Sequence, residues 1–360
     1  MRVLIIANAD IGLYKFRKEL LEELVKENEV YIALPKGEFY EDLLAIGCKY
    51  IITQLDRHGT NPVKELKTVF GYKKIIKRIK PEIVFTYTIK PNVYAGMACA
   101  ALNIPYVANI TGLGTAVENP GLMQLLTVSL YKYGLRKAQK VFFQNTENRD
   151  FFVKKGVVKK AYDLLPGSGV NLKNYMVTEY PNGPTVDFVF VSRIMKEKGI
   201  EQYLEAAKEI KARHPETRFH ICGFCEQNYE QVLKDMSDEG IIIYHGLVKD
   251  MSAIYKQMSC TIHPTYYPEG LSNVLLESSA SGRPIITTNR SGCREVVDDG
   301  INGYVVEEKN SKDLIEKIEL FLGKSVEERK QMGIAGRKKV EKEFNRQIVI
   351  DKYLAELKSV

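Results

Sequence analysis

The sequence predicts an α/β protein of two Rossmann-like domains, each built on an open, doubly wound parallel sheet. Short runs rich in Val, Ile and Leu alternate with longer helical patterns along the whole chain, which is typical of successive βαβ units. The 360 residues are too many for one ordinary core and suit two domains of roughly 150–200 residues each. A turn-rich stretch over 164–185, with LLPGSGVNLKNY and YPNGPT, interrupts the alternation and marks the domain junction.

The first domain is predicted to span residues 1–165. Its strands are indicated by six apolar runs, which are RVLIIANA, EVYIAL, KYIITQL, EIVFTYT, YVANIT and VFFQN. Patterns with apolar residues at helical spacing, such as KFRKELLEELVKE and NVYAGMACAALN, provide crossover helices between these strands. The alternation therefore predicts a parallel sheet with helices on both faces.

The second domain is predicted to span residues 166–342. Its strands are VDFVFVSRI, RFHICGF, IIIYHG, CTIHPT, PIITTN and GYVV, and its helices include IEQYLEAAKEIKARH, SKDLIEKIELFL and VEERKQMGIAGRKKVEKEF. The last segment, 343–360, is predicted to be a helix that crosses back to the first domain. Ligands bind outside the carboxyl ends of strands in such sheets, so we expect the site in the cleft between the two domains.

Composition and charge restrict the class of protein. No apolar run approaches the ~20 residues needed to span a bilayer, and the start MRVLIIANAD reads as a first strand rather than a signal peptide. Six scattered cysteines favour reduced thiols in a cytoplasmic protein. Residues 1–165 contain 25 Lys and Arg against 16 Asp and Glu, whereas the remainder has 27 against 29. The first domain is therefore expected to meet an anionic partner.

A Glu-Gly-Leu-Ser-Asn step opens the first candidate motif, EGLSNVLLE. We expect a helix over LSNVLLESSASG, with Gly270, Leu271 and Ser272 in its first turn, where unpaired backbone N–H groups attract an anion. Glu277 lies seven residues beyond Gly270, so it returns to nearly the same helix face and suits the vicinal hydroxyls of a ribose. Glu269, directly before the helix, is placed to reach a sugar beyond the phosphates. The plainer interpretation is a capped helix with a solvated glutamate.

The second motif is VFVSRIMKEKGI, which carries Arg193, Lys196 and Lys198 in a loop after a buried strand. Cations just past the carboxyl end of a strand are placed to neutralise a departing diphosphate. Basic residues before a helix start are otherwise disfavoured by the helix dipole. Taken alone, the motif is equally compatible with a solvated loop.

The combination of SRIMKEKG with EGLSNVLLE resembles the retaining nucleotide-sugar glycosyltransferases of family 4, which have the GT-B fold. RHGTNP, TYTIKPNVYAG, NITGLGTAV, FFQNTENRDFF and PGSGVNL resemble a narrower branch. Members of that branch add a hexose or N-acetylhexosamine to polyprenyl-diphosphate-linked sugars in bacterial glycan assembly. The resemblance covers nearly the whole chain.

The resemblance implies roles for individual residues. Arg193 and Lys198 would hold the donor diphosphate, Glu269 would contact the transferred sugar, and Glu277 would bind the ribose of a uridine nucleotide. The remaining donor-binding residues would be Gly270, Leu271, Ser272, Asn273, Gly223, His245, Gly246 and Thr111, with the uracil read by main-chain atoms of the turn after RFHICGF and of YHGLVKD.

Thr111, in VANITGLG, stands where many relatives have a histidine that faces the donor sugar. A neutral hydroxyl cannot shuttle a proton at neutral pH, so the resemblance implies a front-face mechanism in which the leaving phosphate takes the acceptor proton. We expect no metal and no cofactor, because no DxD-like pair is suitably placed and the cations supply the positive charge.

The residues that would bind the acceptor are indicated less clearly by the sequence than those that would bind the donor. Asn8 and Gly12 occupy the first strand-to-helix turn, Arg57 and Asn61 flank the RHGTNP turn, and Lys90 and Gly112 follow later strands. These six residues are the candidate acceptor-binding group, with simple solvation as the competing interpretation for Lys90. His263 reads as a packed histidine rather than a catalyst.

The segment VFGYKKIIKRIKPE reads as a helix with an apolar stripe and a basic flank. It fits either a surface resting on anionic lipid or an ordinary packed helix with a solvated face. Nucleic acid is a poor partner, since no basic helix-turn-helix or aromatic-basic sheet motif is present.

The sequence thus predicts a retaining, metal-independent glycosyltransferase at the cytoplasmic face of the membrane. Its donor would be a UDP-sugar and its acceptor a polyprenyl-diphosphate-linked saccharide. The alternatives are a UDP-sugar epimerase or hydrolase of the same fold and a non-catalytic glycan-binding scaffold.

Overall fold

The computed structural model describes residues 1–53, 62–114, 117 and 120–360. These residues form two compact units, one comprising 1–168 with 347–360 and the other comprising 169–346. Each unit contains its own parallel sheet with helices around it. The predicted fold class, two Rossmann-like domains, is confirmed.

The first unit has a seven-stranded sheet in the order β3-β2-β1-β4-β5-β6-β7, with every pair parallel. Its strands are β1 (Arg2–Ile6), β2 (Glu29–Leu34), β3 (Lys49–Ile52), β4 (Ile83–Tyr87), β5 (Tyr106–Ile110), β6 (Lys140–Phe143) and β7 (Tyr162–Leu164). Its helices are α1 (Asp10–Glu27), α2 (Tyr40–Ala45), α3 (Pro62–Ile79), α4 (Gly96–Leu102), α5 (Leu122–Leu135) and α6 (Thr146–Lys154), with a π-helical turn at Pro91–Ala95 before α4.

The second unit has a six-stranded parallel sheet in the order β10-β9-β8-β11-β12-β13. Its strands are β8 (Val186–Val191), β9 (Thr217–Cys222), β10 (Ile243–Tyr244), β11 (Cys260–His263), β12 (Ile285–Thr288) and β13 (Gly303–Val306). Its helices are α7 (Ile200–Arg213), α8 (Glu230–Asp238), α9 (Met251–Gln257), α10 (Asn273–Ala280), α11 (Ser311–Leu322) and α12 (Val326–Glu343). The chain ends with α13 (Arg346–Lys358).

Both sheets reverse their strand order once, between β1 and β4 in the first unit and between β8 and β11 in the second. At such a point the loops leaving the two neighbouring strands turn to opposite faces of the sheet and open a crevice between them. The loop after β8 contains Arg193 and Lys198, and the loop after β11 contains Glu269. The topology therefore brings the two sequence motifs to the same sheet edge.

The last helix, α13, packs into the core of the first unit. Tyr353 is fully buried, with its ring 5.2 Å from that of Phe85 and 5.4 Å from that of Phe142. Its hydroxyl donates a hydrogen bond to the side-chain oxygen of Asn109, at the end of β5. The C-terminal residues thus form part of the first hydrophobic core rather than a loose tail.

Replacing Tyr353 with alanine should lower the free energy of unfolding by about 3–5 kcal/mol, because a buried aromatic side chain leaves a cavity and an unpaired Asn109 oxygen. Urea unfolding followed by far-UV circular dichroism measures this, since the chain has no tryptophan for fluorescence. The exposed Tyr133 provides the control, and Tyr133→Ala should change stability by under ~0.5 kcal/mol. Equal effects of the two substitutions would contradict the packing described for α13.

Candidate active site

The loops after β8 and β11 are joined by two hydrogen bonds to one backbone carbonyl oxygen. The Tyr266 N–H donates to the Glu197 carbonyl oxygen at 2.9 Å, and the Thr265 hydroxyl donates to the same oxygen at 3.3 Å. Gly199 ends the short 3₁₀ turn at Lys196–Lys198 with a φ of +78°. A Cβ there would lie 2.1 Å from the Pro264 carbonyl oxygen, so only glycine allows the loops to approach this closely.

The close approach brings Lys198 and Glu269 into a buried ion pair. The Lys198 ammonium donates a hydrogen bond to Glu269 Oε1, and the two side chains are only 9% and 19% exposed. The Lys198 Nζ also lies 4.6 Å from the centroid of the Tyr267 ring, and the Arg193 guanidinium carbon lies 5.5 Å from the same centroid. Two cations therefore lie beside a single aromatic ring, and one of them, Lys198, is paired with Glu269.

Arg193 is held from its other side by an acidic residue. Its Nη1 donates to Glu226 Oε2 at 2.5 Å, on the loop after β9, and both side chains remain about 40% exposed. This exposure leaves the guanidinium accessible from solvent while the ion pair fixes its position. Arg193, Lys198 and Glu269, the three predicted catalytic residues, are thus brought together.

Charge and burial set the protonation states here. Burial on its own raises the pKa of Glu269, but the charge and hydrogen bond of the Lys198 ammonium outweigh that effect and hold the pKa below its usual value. His263, at the end of β11, is buried beside the pair. Burial and the Lys198 charge lower the pKa of His263 to about 4. The histidine is therefore neutral at pH 7, and its Nε2 lies 3.2 Å from the Ser272 hydroxyl.

The predicted start of the helix after Glu269 is wrong. Helix α10 begins at Asn273, so Gly270 and Leu271 lie in the preceding loop and Ser272 is the N-cap residue. The Ser272 N–H, which we expected to face an anion, donates to the Gly292 carbonyl oxygen at 2.8 Å. The rotation argument that related Gly270 to Glu277 along one helix fails for the same reason.

Glu277 lies in α10 and is half-buried. Two tyrosine hydroxyls approach its carboxylate, those of Tyr175 and Tyr255. Burial and the Glu277 charge raise the pKa of both phenols, so both remain protonated donors at neutral pH. The position of the Glu277 carboxylate is therefore restricted by two tyrosines, and the carboxylate is not freely solvated.

The loops after β9 and β10, which we expected to bind uracil, are hydrogen-bonded or closely packed against each other and against the loop after β8 that carries Arg193. The Gly223 N–H, after β9, donates to the Gly246 carbonyl oxygen at 2.7 Å. A Cβ on Gly223 would lie 1.7 Å from the Ser192 carbonyl oxygen, so the residue must be glycine. The Ile194 N–H donates to the Phe224 carbonyl oxygen at 2.8 Å. The three loops after β8, β9 and β10 thus form one surface.

The exposed His245 in this surface ends a chain of polar side chains that the sequence did not indicate, and the other two members, Asp187 and His220, are buried. Asp187 Oδ1 lies 2.9 Å from His220 Nε2, and His220 Nδ1 lies 2.9 Å from His245 Nε2. While His220 is neutral, its Nε2–H donates to Asp187, so its Nδ1 must accept the Nε2–H of His245. This assigns the lone pair of His245 to Nδ1. Burial and the neighbouring His220 lower the pKa of His245, which keeps the ring neutral.

The acceptor candidates occupy the first unit. Asn8 follows β1, and Gly12 lies in the first turn of α1, where an added Cβ would have no neighbour within 4 Å. Gly112 follows β5, directly after Thr111, which was expected on the donor side. Arg57 and Asn61 lie outside the described residues.

Lys90 is neither solvated nor isolated, since its Nζ lies 2.6 Å from Glu65 Oε1 and both side chains are largely buried. Nearby, Thr88 has a φ of +72°, a conformation that β-branched residues avoid. Its hydroxyl is buried and has no hydrogen-bond partner among the described residues. Backbone strain of this kind concentrates at functional sites, so Thr88, which lies in the TYTIKPNVYAG motif but was not singled out from the sequence, joins the candidates.

Two family models match the chain, one in each half. Residues 2–145 match the model described as glycosyl transferase 4-like, and residues 179–339 match the model described as glycosyl transferases group 1. Arg193, Lys198 and Glu269 all lie within the second match.

Named proteins show the same likeness over most of the chain. The N,N'-diacetylbacillosaminyl-diphospho-undecaprenol alpha-1,3-N-acetylgalactosaminyltransferase of Campylobacter jejuni is 26% identical over 340 residues, which are 89% of this chain and 89% of the relative. The UDP-Gal:alpha-D-GlcNAc-diphosphoundecaprenol alpha-1,3-galactosyltransferase of Escherichia coli is 22% identical and covers 68% of this chain and 67% of its own. The crystal structure of Anabaena HepE in complex with UDP-glucose superposes with a TM-score of 0.81 at 16% identity, covering 100% of both chains. That structural likeness establishes the shared GT-B fold.

The low pKa of His263 makes stability depend on pH. The unfolded chain binds a proton to this histidine below about pH 6.5, whereas the folded chain binds it only near pH 4, so stability falls as the pH drops from 6.5 to 4. The linkage amounts to about 3 kcal/mol for this shift. In His263→Gln the free energy of unfolding should change less over that range, as measured by urea unfolding at pH 4.5, 5.5 and 7. Curves for variant and parent that run parallel with pH would refute the assignment.

Proposed function

Because the chain belongs to the glycosyltransferases, with a 4-like domain followed by a group 1 domain, we propose that it moves a hexose or N-acetylhexosamine from a UDP-sugar to a polyprenyl-diphosphate-linked saccharide. The observation that carries this proposal is the group formed by Arg193, Lys198 and Glu269 at the β8/β11 reversal point. The Campylobacter and Escherichia relatives are named for transfer to undecaprenyl-diphosphate-linked sugars, which favours the same class of acceptor.

Donor binding follows from the charges of the site. A diphosphate seated beside Tyr267 would receive a forked pair of hydrogen bonds from Arg193 and a point charge from Lys198. Glu269, ionised and held by Lys198, would then accept hydrogen bonds from hydroxyls of the transferred sugar. Glu277, braced by Tyr175 and Tyr255, would accept hydrogen bonds from the ribose.

The proposed reaction retains the configuration of the sugar and uses no metal ion. The bond between the anomeric carbon and the β-phosphate oxygen breaks as the acceptor oxygen bonds to the same face of that carbon. The acceptor proton passes to the departing phosphate oxygen, so the protein need not supply a base. Arg193 and Lys198 stabilise the charge that develops on the diphosphate, which is the largest part of the catalysis in this scheme.

His245 supports uracil as the base of the donor. Its Nδ1 carries a lone pair, and the N3–H of uracil is a hydrogen-bond donor, whereas N3 of cytosine is an acceptor. The Asp187–His220–His245 chain holds this tautomer, so it would favour UDP over CDP.

We place the enzyme at the cytoplasmic face of a bacterial membrane, where a polyprenyl-diphosphate acceptor is held. The basic first unit would lie against the anionic lipid surface.

Lys198→Met should lower kcat about 10²–10³-fold, because it removes a cation from the departing diphosphate. Glu269→Gln should lower it comparably. Transfer is measured with radiolabelled UDP-sugars and a polyprenyl-diphospho-sugar, with and without EDTA, and EDTA should have no effect. Lys196→Met is the matched control, because this lysine shares the 3₁₀ turn but is exposed and pairs with Glu201 at 3.4 Å.

No transfer from any UDP-sugar, or full activity in both Lys198→Met and Glu269→Gln, would refute the proposed reaction. Incubating the enzyme with UDP-sugar alone separates the rival activities, since an epimerase yields the epimer and a hydrolase yields free sugar. Calorimetric titration with UDP separates the scaffold, which should show no affinity for the nucleotide.

His245→Leu should weaken UDP binding by roughly 3- to 10-fold, the value of one hydrogen bond, and leave CDP binding almost unchanged. Isothermal titration of both nucleotides at pH 7.5 measures the two affinities. His214→Leu, a half-buried histidine paired with Glu319 after α7, is the control. An equal loss for UDP and CDP would show that His245 does not read the base.

A further inference from the structure

Four large apolar side chains are exposed together at the amino end of α5. Leu122 is 83% exposed, Met123 51%, Leu125 60% and Leu126 54%. Single exposed leucines are ordinary on protein surfaces, but a contiguous apolar group is typical of an interaction site. We call these four residues the tip of α5. Within the described ranges, no helix combines the length and the apolar character needed to cross a bilayer. The group is therefore a surface feature.

The opposite face of α5 anchors the helix firmly. Val128, Tyr131 and Leu135 are buried in the core of the first unit, and the Tyr131 ring lies 4.9 Å from that of Phe152. The buried Gln124 side chain donates to the Val117 carbonyl oxygen at 2.6 Å, within the tip itself. The tip is thus exposed on a helix whose opposite face is packed in the core and cannot turn to bury it.

The exposed stripe changes character along the helix. It continues at helical spacing from the apolar tip to Ser129 and then to Lys132, Tyr133 and Arg136, which are all exposed. The Arg136 guanidinium carbon lies 3.7 Å from the centroid of the Tyr133 ring. Lys132 follows Leu126 by six residues, about 9 Å along the axis. Apolar residues at one end, with tyrosine and cations about two to three turns away, match the depth profile of a lipid interface.

Helix α3, the basic segment that the sequence singled out for lipid contact, differs from this. Its Ile76 and Ile79 are buried in the core of the first unit, so the apolar stripe of α3 is a packing face. The basic flank of α3 can still face anionic lipid, but among its described residues only Leu66 and Phe70 are large, exposed apolar side chains, whereas α5 exposes four together. This finding moves the expected membrane contact from α3 to α5.

We propose that the amino-terminal tip of α5 inserts into an anionic lipid leaflet, with Lys132 and Arg136 at the level of the phosphates. The occupant of this surface is a bilayer because the cations beyond the tip complement lipid phosphates, whereas a protein partner would not require that gradient. The inference rests on the proposed function in one respect, because a lipid-linked acceptor gives the enzyme a reason to be at the membrane.

The test measures binding of the full chain to vesicles by co-sedimentation. The parent protein should bind vesicles of phosphatidylglycerol and phosphatidylethanolamine and should bind pure phosphatidylcholine weakly. The variant Leu122→Ser/Leu125→Ser/Leu126→Ser should lose about tenfold or more of that binding. The variant Lys132→Glu/Arg136→Glu should lose the preference for anionic lipid and the dependence on salt.

Ile301→Ser/Leu320→Ser/Val326→Ser is the matched control. It removes three apolar side chains that are exposed on the second unit and should bind vesicles like the parent. The far-UV spectrum and melting temperature of each variant show that it is folded. Equal vesicle binding by the parent and by the triple-serine variant of α5 overturns the proposal.

Two further measurements separate this proposal from the proposed reaction. With a short-chain, water-soluble acceptor, the triple-serine variant of α5 should transfer sugar at a rate within twofold of that of the parent. With the acceptor embedded in vesicles, the transfer rate of this variant should fall. The parent protein could bind vesicles but transfer no sugar, and the triple-serine variant could lose that binding. This result would support the membrane contact and refute only the proposed reaction. A parent dimer that the substitutions convert to a monomer, with vesicle binding unchanged, would assign the tip to a second copy and overturn the proposal.

Discussion

The buried pair of Lys198 and Glu269 imposes the strictest constraint on the second unit. Removing either charge from water costs several kcal/mol unless the other is present in good geometry, so the loops after β8 and β11 must meet with little tolerance. Gly199 allows the contact with Pro264, and Gly292 allows the contact with the Glu269 loop, where a Cβ would lie 2.7 Å from the Gly270 carbonyl oxygen. The loop geometry is thus a consequence of where the charges must be.

The same pair also positions the cations for the proposed donor. Lys198 is paired with Glu269, and Arg193 is paired with Glu226. A diphosphate bound as we propose would carry more charge than a single carboxylate and would engage both cations at once, while the two carboxylates would stay nearby to orient them. Less conformational entropy is then lost on binding than if long basic side chains had to be gathered from solvent.

The sequence predicted the fold and the proximity of Arg193, Lys198 and Glu269 because these depend on local patterns. Apolar runs identify buried parallel strands, and cations directly after such a run must lie at the carboxyl edge. The start of α10 could not be predicted, because the Ser272 N–H is claimed by Gly292, twenty residues away. The role of α3 could not be predicted either, since periodicity shows that an apolar stripe exists and not whether Ile76 and Ile79 are covered by protein or by lipid.

Three of the positions where local rules fail lie just after strands. Thr88 follows β4 with a left-handed φ, Gly223 follows β9 against the Ser192 carbonyl oxygen, and Gly199 follows the β8 loop against Pro264. Strand interiors obey the simple pattern and supply the stability that offsets such strain. Left-handed φ values also occur before strands, at Lys80, Asn103 and Ala161, so a strained φ alone does not mark the carboxyl edge. Thr88 differs from an ordinary turn residue because its hydroxyl is also buried and has no hydrogen-bond partner among the described residues. That combination is what makes Thr88 a candidate for a binding surface in the first unit.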